Sequence, residues 1–537
     1  MTGRGRSRGR ESVGIEQEAV EALQRVQETA RWITAALPIA APRRVSDLRA
    51  SPTHSLAPFM SDTSDDSLTA APELPRRDFI RLAGLGTGAL LSGVAPATVE
   101  AQQGFAPAAR RGRAGPSSHV IVVGAGAWGA FISWHLRKQG NRVTLIDQYG
   151  VANSRATTGD ETRGIRSSYG DRTITPELWV SWARESIKRW REFDAEHGKR
   201  FGTRFYYETG DLILRERPEP FTTRSRELWD KLGVKYEVLT PDDAKKRFPQ
   251  IRSEGHEVLI HEPDAGVARA RDSVQAQVAL ARDAGVEFRM GRVTPGPIAN
   301  GRMQGVTLQD GTKLSADSYV FACGPWLGKV FPDALRNRTN LPIGHVCYFG
   351  TPVDDARFTF PNCPTWNVPG VTGWAALPAD SHGFRVRGAI APPPPPGAAA
   401  AAEAAPPPRP PNTRPDPGQQ DPDTSSRWTN QERIDGSRNV LSKYFPAMAA
   451  APLLSTRACH YEISVNRNFI VDRVPGAENA WITGMGQAEG FKFSIVIAEY
   501  AAWRVMGDSG DPALAAAFRL PSQEYVPGES PFSGDDN

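Results

Sequence analysis

The sequence predicts an α/β protein organised around a βαβ unit that begins near His119. Three observations carry this. An apolar β-branched run, Val120 to Val123, is followed at once by Gly124, Gly126 and Gly129 at G-x-G-x-x-G spacing. A helical pattern with Trp128, Ile132 and Leu136 comes next and runs into Gly140, which suits a left-handed helix stop. A second apolar run, Val143 to Ile146, then ends at Asp147. In such a unit the glycines allow a tight turn, backbone approach to a pyrophosphate, and close helix–strand packing. The helix N-terminus faces the phosphates, and Asp147 stands where a carboxylate grips a ribose hydroxyl. A glycine-rich turn of an ordinary α/β unit would explain the glycines, but not the whole ordered set within about 30 residues. The pattern predicts a bound adenine dinucleotide and does not separate FAD from NAD.

At 537 residues the chain exceeds one ordinary hydrophobic core, so two domains, or one with appendages, are expected. Its 45 prolines and 50 glycines point to unstructured stretches beside a globular part. A net charge of +4, with Arg4, Arg6, Arg8 and Arg10 bunched at the start, gives no argument for nucleic acid as a partner. The cysteines are Cys323, Cys347, Cys363 and Cys459; none forms a C-x-x-C or stands at zinc-ligand spacing from a histidine. No metal site is expected, and no disulfide such as Cys347–Cys363 is indicated. The first three cysteines read as small buried hydrophobes.

Residues 1–59 combine a basic opening, an amphipathic stretch around Ile15 to Leu37 and a Ser/Pro tract, which do not read as one fold. After Met60, Arg76-Arg77 precede Asp78, Phe79 and Ile80, and a mildly apolar, glycine-rich run spans Leu82 to Val94. That run is shorter than the roughly 18 residues of a membrane span. Val99-Glu100-Ala101 then offers small side chains at the spacing a signal peptidase reads. Residues 60–101 resemble a twin-arginine export signal. The resemblance implies translation from Met60, cleavage near Ala101, the twin-arginine machinery as a partner, and a periplasmic or extracellular protein.

Further along, tryptophans at 179, 182 and 190 recur at near-helical spacing in Pro176–Glu196 and read as core. FYYETGDLILRER predicts a strand pair turning at Gly210-Asp211, followed by a helix ending near Gly233. Thr240 caps a helix with Pro241 at its first position. EPDAGVARARDSVQAQVALARDAGVEF gives a strand edge, a helix and a strand, and Asp310-Gly311 a hairpin turn. Residues 391–417 are Pro/Ala low complexity and cannot bury enough apolar surface to fold, so a surface insertion is expected. A helix to Tyr444, strands at Phe469–Val471 and Trp481–Thr483, and a helix from Lys492 complete the chain; the tail after Pro521 reads as extended.

Charged residues add chemistry to the fingerprint. Thr162-Arg163-Gly164-Ile165-Arg166 puts two guanidiniums three residues apart, and Gly490-Phe491-Lys492 puts a lysine beside a glycine turn at a helix start. Guanidiniums are permanently charged and grip carboxylates bidentately, so their convergence with Lys492 would suit an anionic substrate. A solvated surface charge is the plainer reading of any one of them taken alone.

These segments resemble the FAD-dependent amine oxidases related to monomeric sarcosine oxidase, in the D-amino-acid-oxidase-like (DAO) superfamily. The motifs are GDETRGIR at 159–166, against a G-D-T-R-x-x-R pattern one residue shorter; Arg457-Ala458-Cys459-His460-Tyr461 before Phe469-Ile470-Val471-Asp472; and Gly490-Phe491-Lys492-Phe493-Ser494. TGDLIL, KRFPQI, EPDAGV and DPDT at 421–424 match more faintly. The resemblance covers roughly 119 to 510 apart from the Pro/Ala insertion. It implies a Rossmann-like FAD-binding domain built from segments 117–200, 263–340 and 455–520, and a substrate domain with a large mixed sheet from 201–262 and 341–454. The remaining tail is 521–537. It further implies that Cys459 bonds the flavin through a thioether, that Arg163 lies close to the flavin, and that Gly490 and Phe491 form the cofactor-side turn. Arg166 and Lys492 would hold the carboxylate of the substrate. The implied reaction is oxidation of the C–N bond of a secondary or N-methylated amino acid to an imine, with oxygen reduced to hydrogen peroxide.

The sequence departs from the family in three places. Arg385 stands where the oxygen-activating lysine is expected, and Ala389 where sarcosine oxidase has a histidine. Leu341-Pro342-Ile343-Gly344-His345 replaces a proline–arginine–glutamine segment. The exact amine and the electron acceptor therefore stay open. A flavin dehydrogenase serving a quinone or cytochrome is the near alternative, and a flavin-binding protein without turnover the distant one. An NAD-dependent dehydrogenase leaves the Cys459 and Lys492 motifs unexplained. His345 and His460 are candidates to line the site, although a lone histidine is more often structural.

Overall fold

Strands with apolar residues on both faces belong in a sheet covered on both sides, and the fingerprint strand His119–Val123 is one of these. In the computed structural model, Val120 and Val122 enter one core cluster while Ile121 enters another across the sheet. The structure describes residues 118–170, 173–378, 382–392, 421–508 and 511–524. The segment 1–59, the twin-arginine segment 60–101, most of the Pro/Ala stretch and most of the tail lie outside them.

His119–Val123 is central in a six-stranded sheet ordered Ile470–Arg473, Ala480–Gly484, Ser318–Phe321, His119–Val123, Arg142–Asp147, Glu287–Met290. All neighbours are parallel except the edge pair Ile470–Arg473 and Ala480–Gly484. The first crossover helix, Ala127–Lys138, stops as expected, with Gly140 at φ +90° and its N–H on the carbonyl of Arg137. Helices Ala270–Asp283 and Gly490–Val505 contribute to the same core layer, with Val274, Val278, Val496 and Ile497 buried in it. Gly490–Val505 begins two residues before the expected Lys492 and is buried on nearly all sides.

The long helix Pro176–Phe201 runs past the expected Glu196 until Gly202 turns it off at φ +64°. Trp179, Trp182 and Trp190 are its buried face. Trp179 stacks on Phe469 at 4.5 Å between ring centroids and meets Phe493 edge-on at 5.1 Å. It thereby joins the long helix to the C-terminal part of the six-stranded layer.

A mixed eight-stranded sheet forms the second layer: Leu453–His460, Ile343–Phe349, Phe384–Arg387, Val371–Trp374, Thr365–Val368, Asp211–Arg215, Val258–Glu262, Glu237–Val238. Only Thr365–Val368 and Asp211–Arg215 run parallel. The period-2 rule divides its two faces. Phe384, Val386, Cys347, Phe349 and Val371 pack with Val440 and Leu441 of helix Gln431–Tyr444. The alternating positions, Arg385, Arg387, Tyr348 and Trp374, fall on the opposite face.

One expected local pairing does not occur. Tyr206–Glu208 and Asp211–Arg215 were expected to form a hairpin, yet they enter different sheets. The N–H groups of Thr209 and Gly210 both donate to the carbonyl of Ala265, at 3.2 and 2.9 Å, with Gly210 at φ +69°. That turn sends the chain from a small sheet, Thr162–Ile165, Gly266–Arg269 and Tyr206–Glu208, into the large one. The Asp310-Gly311 hairpin forms as expected. All four cysteines are free.

Trp179→Ala is expected to cost about 3–5 kcal/mol, the usual penalty for emptying a buried tryptophan site. Denaturant unfolding of the purified protein checks this; an unchanged midpoint would mean that the stacked cluster does not hold the layers together.

Candidate active site

The fingerprint loop shows a separate task for each glycine. Gly124 is at φ +105°, and a Cβ there would lie 2.3 Å from the carbonyl oxygen of Ala322. A Cβ at Gly129 would lie 1.8 Å from the carbonyl oxygen of Gly124, so helix and loop touch backbone to backbone. Gly126 differs: its Cβ would meet only Thr158 Oγ1, at 3.6 Å, and the residue faces a cavity of about 330 Å³. Asp147 ends the second strand at the same cavity. Its Oδ2 accepts from the N–H of Ala125 at 2.8 Å, and its Oδ1 from Tyr149 and Gly150 at 2.8 and 2.9 Å. Burial raises this carboxyl against the opposing pull of those hydrogen bonds.

The far wall comes from the end of the chain. Helices Ala127–Lys138 and Gly490–Val505 both begin at the cavity, and Trp128 Nε1 donates to the carbonyl of Gly490 at 3.0 Å. The turn before the second helix puts Met485, Gln487 and Ala488 at φ +58°, +53° and +60°. Each left-handed non-glycine residue costs about 1–3 kcal/mol and persists only where its surroundings hold it. Gln487 does the holding here. Its N–H donates to the carbonyl of Glu462 at 2.9 Å, and its Nε2 to Ser464 Oγ and the carbonyl of Asn468 at 2.8 and 2.9 Å.

A second cavity, about 70 Å³, shares Thr157, Arg163, Tyr461, Ala488 and Phe491 with the first, so the two adjoin. Its walls include the alternating face of the large sheet: Gly344 and Val346, Thr372 and Trp374, Arg385 and Arg387, and Cys459. Arg163 Nη1 pairs with Asp160, and its Nη2 donates to the carbonyl of Thr157 at 2.6 Å and lies 4.0 Å from Cys459 Sγ. Asp160 is fully buried; it also accepts from Tyr348 OH at 2.7 Å and Arg385 Nη2 at 3.3 Å, with Arg457 Nε at 3.8 Å. Burial alone would raise this carboxyl, but Arg163, Arg385, Tyr348 and Arg457 together hold it well below the usual carboxylate range. The Arg385 guanidinium stacks 4.0 Å above the Trp374 ring.

Arg166 and Lys492 do converge, and Glu489 stands between them. Its Oε2 pairs with Lys492 Nζ, its Oε1 lies 3.2 Å from Arg166 Nη2, and Tyr169 OH donates to it at 3.2 Å. Tyr169 also contacts Lys492 Nζ. Glu489 is the cap residue of the helix, so its charge also meets the positive end of the helix dipole. Behind Arg166, Glu262 is fully buried and accepts from the N–H and hydroxyl of Ser167, at 3.1 and 2.5 Å.

The histidines are placed as structural groups. His345 Nδ1 bonds Thr429 Oγ1 at 3.1 Å; the His460 ring bonds the carbonyl of Leu341 at 3.0 Å and Ser425 Oγ. Neither lines either of these two cavities.

The sequence profile of the family described as FAD dependent oxidoreductase (DAO) matches residues 119–504. The chain belongs to this family. It is 26% identical to peroxisomal sarcosine oxidase from Mus musculus over 43% of this chain, a match spanning only 56% of that protein. It is 25% identical to monomeric sarcosine oxidase from Bacillus sp. over 71% of this chain and 90% of that one. The crystal structure of fructosamine oxidase (Amadoriase II) from Aspergillus fumigatus has the same fold, with a TM-score of 0.58 over 75% of this chain and 89% of that one at 20% identity.

For this DAO-family protein, the larger cavity fits FAD on its own donor set. The open face of Gly126 and the N-terminus of the first helix suit a pyrophosphate, and Asp147 lines the cavity with acceptor capacity left on Oδ2. Gly490 and Phe491 line it from the other side, and Arg163 lines both cavities. Cys459 and Arg385 line only the smaller one. Sequence reasoning passed over Asp160, Glu489, Tyr169 and Glu262 as site groups. Asp160 was visible beside Arg163, and Glu489 three residues before Lys492, but their pairing with the large sheet and with Arg166, just after the strand Thr162–Ile165, was not.

Burial pushes the Glu262 carboxyl up to about 7, against the Ser167 hydrogen bonds and with help from Asp211. Between an unfolded value near 4.5 and about 7 the folded protein therefore holds a proton that the unfolded chain has lost. This group's share of stability is full below about 4.5 and falls as pH rises towards 7. Glu262→Gln should remove about 2–3 kcal/mol of stability lost between pH 5 and pH 8. Denaturant unfolding of both proteins at the two pH values checks this; parallel pH profiles would refute it.

Proposed function

We propose that this protein oxidises the C–N bond of a secondary or N-methylated amine, working on the substrate in the smaller cavity beside FAD. The observation that carries this reading is the adjoining of the two cavities across Arg163, Tyr461 and Phe491. A substrate in the smaller one is thereby in reach of the larger one. The names of the relatives, two sarcosine oxidases and a fructosamine oxidase, support the amine class.

Bound FAD supplies the redox chemistry by accepting a hydride from the carbon next to nitrogen. The chain's part is placement and electrostatics. Phe491, Tyr461 and Trp374 narrow the cavity and exclude water around the reacting carbon. The nitrogen lone pair forms the C=N bond as hydride leaves, the nitrogen proton goes to solvent, and water then splits the imine into a carbonyl compound and an amine. Oxygen, reduced to hydrogen peroxide, is the proposed acceptor. The excess of cations around the smaller cavity favours any oxygen species that gains negative charge there.

Mixing the protein with N-methyl amino acids, cyclic imino acids and polyamines without oxygen should bleach the flavin absorbance for at least one class. No bleaching by any of them would overturn the proposal. Peroxide formed in air at the rate of amine loss supports oxygen; dye reduction without peroxide would move the acceptor to a quinone or cytochrome.

Cys459 is the proposed anchor of a covalent flavin, supported by its place in the R-x-C-x-Y motif and in the wall of the smaller cavity, beside Arg163. Acid-precipitated wild-type protein should stay yellow and Cys459→Ala protein should release its flavin. Free flavin in the wild-type supernatant would refute the linkage.

A further inference from the structure

The smaller cavity is strongly charged, and its charges are not equally spoken for. Arg163, Arg166, Arg385, Arg387 and Lys492 line it as cations, and Glu489 is its lining carboxylate. Arg166 and Lys492 both pair with Glu489, although Arg166 Nε is buried without a hydrogen-bond partner among the described residues. Arg163 is matched on Asp160 and two backbone carbonyls.

The opposite wall differs. Arg385 is 2% exposed and uses one nitrogen, Nη2, on Asp160; its Nε and Nη1 are buried without a hydrogen-bond partner among the described residues. A buried guanidinium N–H left unpaired is costly, so such atoms mark places where a ligand completes the bonding. Two residues on, and so on the same face of the strand, Arg387 lies over the Tyr461 ring at 5.5 Å and pairs with no carboxylate among the described residues. The excess positive charge of the cavity therefore sits on the strand Phe384–Arg387.

We propose that the anionic group of the amine substrate is received by Arg385 and Arg387, and that Glu489 closes the Arg166–Lys492 seat to a substrate carboxylate. This rests on the amine-oxidase reading above. The substrate class is then a secondary amine whose carboxylate faces the large sheet, with the Glu489 carboxylate across the cavity.

Acetate, titrated into the flavin-loaded protein and followed by the visible flavin spectrum, probes the seat. Wild type should show saturable binding, weakened at least 30-fold in Arg387→Gln. The double variant Glu489→Gln/Lys492→Gln, which leaves the net charge unchanged, should stay within threefold of wild type. Equal acetate binding in wild type and Arg387→Gln, loss confined to the double variant, or no binding in wild type would each overturn the proposal. Flavin content and bleaching by an N-methyl amide of the best substrate serve as the folding check: the KM of the acid should rise at least 30-fold in Arg387→Gln and that of the amide should not. If acetate binds as proposed but no amine bleaches the flavin, the seat stands and the amine-oxidase reading falls. If amines bleach the flavin and Arg387→Gln leaves the KM of the acid unchanged, the reading stands and the seat falls.

Discussion

Asp160 has no exposed surface, and its carboxylate is shared by the strand Thr162–Ile165, through Arg163, and by two neighbouring strands of the large sheet, through Tyr348 and Arg385. The cofactor-side loop and the wall of the smaller cavity are thereby fixed to one atom group. Removing one member of a buried charge set costs about 3–5 kcal/mol, because the partners remain buried and unmatched. Here the members also repel one another, since Arg163, Arg385 and Arg457 all lie against this carboxylate. Without it the large sheet could not keep Arg385 buried so close to Arg163. The positions of Arg163 and Arg385 in the smaller cavity follow from that constraint.

A second constraint works at the other end of the larger cavity. Trp128 and Gly490 are 362 positions apart, yet their hydrogen bond brings two helix starts to one wall. The entropy of closing so long a loop grows only slowly with length, so what must be supplied is local: a turn that aims the second helix. Residues Met485 to Ala488 store the strain of that turn, and Gln487 distributes it over Glu462, Ser464 and Asn468. A Cβ on Gly490 would sit 3.3 Å from Trp128 Nε1, which leaves little room for any other residue there.

The parts of this arrangement legible in the sequence are those whose causes are local. The βαβ unit needs only its glycines, its apolar runs and Asp147, all inside one short stretch, and it folds as read. Trp179, Trp182 and Trp190 lie on one buried face because helical spacing alone puts them there. The strand pair at Gly210 was misread because the deciding bonds come from Ala265, far outside the window that suggested a hairpin. Glu489 is the instructive case. Its spacing from Lys492 was visible, but its meaning depends on Arg166, 323 positions away. The motif residues could be named from sequence, whereas the carboxylate that changes their electrostatic role could not.

That carboxylate alters what the motif can do. A group held in place by its own chain meets its partners without the loss of translational and rotational freedom that a dissolved competitor incurs. Glu489 is fixed at the helix start, three residues from Lys492, and takes a further bond from Tyr169. A dissolved carboxylate entering this seat has to displace Glu489 from both cations. It gains in addition only Arg166 Nε, which is buried without a partner among the described residues. The unmatched N–H groups of Arg385 face no such competitor among the described residues. Among the described residues, the buried guanidinium donors without partners that line this cavity belong to Arg385, with Nε and Nη1, and to Arg166, with Nε, so the larger share lies on the wall built by the large sheet.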